Sequence, residues 1–114
     1  MIQYIYGSRG SGKTTRLIEK CIEWASENDG PVLYYGAHSN WAKKLIGNLR
    51  REGLEIDLTF IHHLDNSALY GRGDHLLAID DFHDMGPSAQ LYVNAYIIQS
   101  GCDAIKVEGL DLDH

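Results

Sequence analysis

Gly7-Ser8-Arg9-Gly10-Ser11-Gly12-Lys13-Thr14-Thr15 restricts the fold of this chain more than any other stretch. From Gly7 to Thr14 it keeps the spacing G-x-x-x-x-G-K-[ST], a pattern that works only between a strand and a helix. Both flanks comply. Ile2-Gln3-Tyr4-Ile5-Tyr6 is short, apolar and rich in β-favouring residues, which predicts a strand over 2–6. Leu17, Ile18, Cys21, Ile22 and Ala25 recur at helical spacing, which predicts a helix running to about Glu27.

The chemistry follows from the residue types. Glycines lack a Cβ, so the loop can turn its backbone N–H groups around an anion. A helix starting near Gly12 aims its unpaired N–H groups and positive dipole end the same way. Lys13 reads as a point charge bridging the β- and γ-phosphates of a nucleotide, and Thr14 as a hydroxyl ligand for Mg²⁺. Gly7, Ser8, Arg9, Gly10, Ser11, Gly12, Lys13, Thr14 and Thr15 together are the candidate nucleotide-binding residues. Arg9 either points toward the γ-phosphate or covers the outer side of the loop.

His75-Leu76-Leu77-Ala78-Ile79-Asp80-Asp81 is the second informative stretch, an apolar strand that ends in acid. Ligands gather at such strand ends in parallel sheets. Asp80 is the expected Mg²⁺ ligand, directly or through water. Asp81 stands where many ATPases carry a water-orienting glutamate, so Asp81 and Lys13 are the candidate catalytic residues. Glu108, at the end of the last strand, is the next candidate for that base.

The remaining elements read in order. Strands are expected over 32–35, 58–61 and 104–107. A helix capped by Ser39 or Asn40 should last to about Glu52, with Ala42, Leu45, Ile46 and Leu49 inward. Its other side collects Lys43, Lys44, Arg50 and Arg51, either a solvated face or a contact for nucleic acid or a partner. Gly86-Pro87-Ser88 opens a last helix to about Gln99, with Leu91, Ala95 and Ile98 expected inward. His62-His63 lacks the further ligands a metal site needs.

At 114 residues the chain fits one domain, 1–114, and a net charge of −6 argues against coating nucleic acid by charge alone. Cys21 and Cys102 lack metal-type spacing and read as reduced core residues. With no apolar run near the ~18 residues of a membrane span and no signal-type leader, the expectation is a cytoplasmic protein, bacterial or from a virus-infected host.

The two motifs on separate strands resemble those of P-loop NTPases. That resemblance implies a three-layer α/β fold with a mostly parallel five-stranded sheet. Absence of Asn-Lys-x-Asp disfavours GTP and makes ATP the expected nucleotide, with Mg²⁺. The strands between the motifs resemble the additional-strand ATPase branch, which implies a sheet order of 2–6, 104–107, 76–80, 32–35 and 58–61.

Within that branch, Gly7 to Lys13 is similar to the loop of phage terminase large subunits, and Asp80-Asp81-Phe82-His83 to the Asp-Glu-x-His box of superfamily 2 helicases. Val107-Glu108-Gly109-Leu110-Asp111 is similar to a segment of type II thymidine kinases. The leading expectation is a minimal ATP-hydrolysing domain, of motor or accessory type, in a larger assembly such as viral DNA packaging or processing. A nucleoside kinase, with Tyr70, Tyr92 and Tyr96 as stacking candidates, and a non-hydrolysing ATP-binding module are the alternatives. Residues 2–6 are expected to form an open sheet edge where a second copy or a protein partner pairs.

Overall fold

The computed structural model describes residues 2–7, 12–36, 39–61, 75–80, 82 and 85–109. In chain order these form β1 (Ile2–Gly7), α1 (Lys13–Glu27), β2 (Val32–Tyr35), α2 (Ser39–Arg51), β3 (Leu58–Ile61), β4 (Leu76–Ile79), α3 (Pro87–Ser100) and β5 (Asp103–Gly109). All five described strands are parallel and lie in the order β1-β5-β4-β2-β3, the order that the resemblance implied. β5, the last of the described strands, separates the strand before the glycine loop from the strand before Asp80.

Alternation along the strands sorts the core into two clusters, because successive side chains leave a sheet on opposite faces. Val32, Tyr34, Leu76, Ala78, Ile105 and Val107 join Leu17, Ile18, Cys21 and Trp24 of α1 and Ala42 and Ile46 of α2. Leu33, Leu77, Ile79 and Ala104 join Val93, Tyr96 and Ile97 of α3. The result is three layers, α1 and α2 below the sheet and α3 above it. β4 is buried at every position, as a parallel strand covered on both faces must be. Each fully buried aliphatic side chain, such as Leu17 or Leu77, contributes about 1.5–3 kcal/mol.

Local signals set the helix ends. Asn28 Nδ2 donates to the Trp24 carbonyl at 2.9 Å and closes α1. α2 stops at Gly53, whose φ of 109° suits a residue without a Cβ. α3 opens with Pro87 in its first turn and closes at Gly101, whose N–H donates to the Ile97 carbonyl at 3.0 Å.

The inward face expected for α3 is the wrong one. Leu91 and Ile98 are 70% and 79% exposed, and Ala95 is exposed beside them. Val93, Tyr96 and Ile97 are buried instead. The helix has apolar side chains on both sides and no charged residue from Pro87 to Ser100, so no polar stripe marks its wet face. The choice is made by the second cluster, where Tyr96 also shares a 2.8 Å hydrogen bond with His75 Nε2.

Two outcomes check this packing. Ile97→Glu buries an unpaired charge and is expected to lower stability by more than about 3 kcal/mol in urea denaturation, whereas Ile98→Glu should stay within about 0.5 kcal/mol. At the far end of α1, the Trp24 indole donates to Asp103 Oδ2 at 2.7 Å. That hydrogen bond is the main cause holding the Asp103 carboxyl below its ordinary value of 3.8. A lowered pKa in the folded state contributes stability above the ordinary value that is lost as pH falls through the folded one. Asp103→Asn should therefore be less stable than the parent at neutral pH, with the gap narrowing below pH 3.8 in acid titrations followed by circular dichroism.

Candidate functional site

Because every strand is parallel, the C-terminal ends of β1, β5, β4 and β2 share one rim. Gly7 sits beside Gly109, Tyr6 beside Glu108, and Ile79 beside both Lys106 and Tyr35. Gly12 follows the loop with a φ of 78°, a left-handed conformation that favours glycine, and its carbonyl accepts the Arg16 N–H at 3.1 Å. α1 thus begins at Lys13, with no side-chain cap and no acidic residue in its first turn. The positive end of its dipole lies at this first turn. Arg16 Nη2 donates to the Tyr6 carbonyl at 2.8 Å, tying that first turn back to β1.

Asp80 is the centre of the arrangement. It directly follows β4, is 2% exposed, and its N–H donates to the Tyr35 carbonyl at 2.8 Å. Thr14 Oγ1 donates to its Oδ2 at 2.8 Å, joining two residues 66 positions apart in the chain. The Tyr34 hydroxyl donates to the same oxygen at 2.8 Å. Thr14 and Asp80, singled out separately as metal ligands, are therefore in direct contact. A hydroxyl that gives its proton to a carboxylate keeps lone pairs for a cation, so the pair offers hard oxygen donors of the kind Mg²⁺ takes. Among the described residues no group of three or more His, Cys, Asp or Glu could hold a metal by itself.

Lys13 and Thr15 are half-buried in the first turn of α1, and Gly7 ends β1. Ser8, Arg9, Gly10, Ser11 and Asp81 lie outside the described residues, as do His62, His63 and Tyr70. Tyr96 is buried against His75 and so is no stacking surface for a nucleoside, and Tyr92 packs partly into the same cluster. Among the basic residues of α2, Arg50 has a local task, donating to the Ile56 and Leu58 carbonyls at 3.0 and 3.3 Å. Cys21 is inert, since burial pushes its thiol pKa up to about 12.

Four contributors escaped the sequence reading. Tyr34 looks like one more apolar strand residue, and only the polar tip of a fully buried tyrosine hints at a partner. Gly36 follows β2, and a Cβ there would lie 2.6 Å from the Asp80 Cβ. Lys106 is buried, its Nζ hydrogen-bonded to Asn94 Oδ1 and 4.6 Å above the Phe82 ring. Burial lowers its pKa, and Glu108 opposes that shift. Gln90 Nε2 donates to the Phe82 carbonyl at 3.2 Å and the Met85 carbonyl at 2.9 Å, so these two residues are fastened to α3.

Gly36→Ala is expected to cost about 1–3 kcal/mol by overpacking against Asp80. Gly47→Ala, inside α2 with nothing within 4 Å of the added Cβ, should instead gain about 0.5–1 kcal/mol. Urea unfolding of both variants gives the comparison.

The chain matches no protein-family model, and no curated protein aligns with it significantly.

Proposed function

We propose that this chain is an ATP-binding and ATP-hydrolysing domain of the P-loop type that works within a larger assembly. The contact between Thr14 and Asp80 carries the reading. It joins the helix after a phosphate-loop motif to the acid after a buried parallel strand, the pairing a Mg-nucleotide site requires. The all-parallel sheet, with β5 between those two strands, supports the same assignment.

In this mechanism the loop amides and Lys13 neutralise charge on the β,γ-phosphates. Thr14 and Asp80 hold Mg²⁺, which supplies further neutralisation of the phosphate oxygens. Asp81 orients the attacking water and takes its proton. The exposed Lys43, Lys44 and Arg51 offer contacts to nucleic acid or a partner, and the edge strand β1 offers a place for a second copy. None of the described helices is long and apolar enough to cross a membrane.

Mg-ATP is expected to raise the melting temperature, and Lys13→Ala to abolish the rise. At a hundredfold excess over Kd, binding to the native state alone contributes about 2.7 kcal/mol. An equal rise in the variant would overturn the assignment of Lys13. Release of inorganic phosphate from the same samples separates hydrolysis from binding alone.

A further inference from the structure

We infer that Tyr34 is a positioning residue for the metal ligand Asp80, an inference that rests on the Mg-nucleotide reading of the site. Tyr34 lies on β2, beside Ala78 of β4, and so reaches the carboxyl two residues further along from the neighbouring strand. Its ring is fully buried in the lower core cluster, with the Phe60 ring 5.2 Å away. A ring held in this way has few rotamers left, and its hydroxyl is a fixed point.

That hydroxyl and Thr14 Oγ1 donate to the same carboxylate oxygen, both at 2.8 Å. The two donors differ in what else they can reach. Thr14 stands in the first turn of α1, next to the loop, and can turn a lone pair to the cation. Tyr34 reaches Asp80 from inside the core, through its hydroxyl. It sets the direction in which Asp80 presents its oxygens and compensates the removal of that carboxyl from water. Gly36 gives the room, because its missing Cβ lets β2 pass close enough to Asp80 for the bond to form.

Tyr34→Phe removes one oxygen and keeps the ring, so it tests the bond without emptying the core. Nucleotide binding is followed by calorimetry on the full chain, with ATP in EDTA and with ATP across a MgCl₂ titration. Losing a hydrogen bond to a metal ligand costs about 10–100-fold in metal affinity, so the MgCl₂ midpoint should rise at least about tenfold. Affinity for ATP in EDTA should stay unchanged, and a urea midpoint recorded beside it verifies that the variant is folded. An unchanged MgCl₂ midpoint would overturn the inference. So would an equal loss of affinity with and without metal, which marks general damage to the fold. A different failure has a different signature: if the parent protein binds ATP no better with Mg²⁺ than in EDTA, the nucleotide reading falls, and the inference with it.

Discussion

A carboxyl group withdrawn from water must find donors, and Asp80 finds two in one oxygen. One comes from the helix that starts after the glycine loop, the other from the strand on the far side of β4. The bond from Thr14 therefore does two things. It satisfies a buried acid, and it holds the first turn of α1 against the rim of the sheet. Fold and candidate chemistry share the same few atoms, so a change that loosens one loosens the other.

The sheet order makes this possible. With β5 between β1 and β4, the loop strand and the acid strand stand two places apart, about 10 Å at ordinary strand spacing. The side chains of Thr14 and Asp80 then meet in front of β5. Above the sheet, Lys106 on β5 faces Phe82 and Asn94, so the middle strand also links Phe82 to α3. The arrangement is asymmetric. Below the sheet the contacts are hydroxyls on a carboxyl, while above it a buried cation rests on an aromatic ring.

Much of this was legible in the sequence. The glycine loop and the acidic strand end identified the rim and the two strands that build it, because each is a local pattern with a local cause. Apolar spacing identified the inner faces of α1 and α2, whose other sides carry charge. The same method failed on α3, where Leu91, Ala95 and Ile98 keep a helical spacing as regular as that of the buried residues. Only the tertiary contact with β2, β4 and β5 distinguishes the two stripes. Tyr34 and Gly36 were invisible for another reason. Their importance comes from a neighbour across the sheet, and nothing within their own segment announces it.

The pairing of β1 with β5 has a consequence for how the protein is made. Ile2 lies beside Ala104, with nearly the whole chain between them. Contacts of such long sequence separation form late and slowly, since the entropy of closing the intervening chain must be overcome first. During synthesis β1 waits for β5 to emerge, while β2, α2, β3 and β4 can already assemble around their own apolar residues. The rim is completed only when this last pairing closes. Closure of the rim is then a late event in folding, and a chain stopped before β5 would carry the loop motif beside an unfinished sheet.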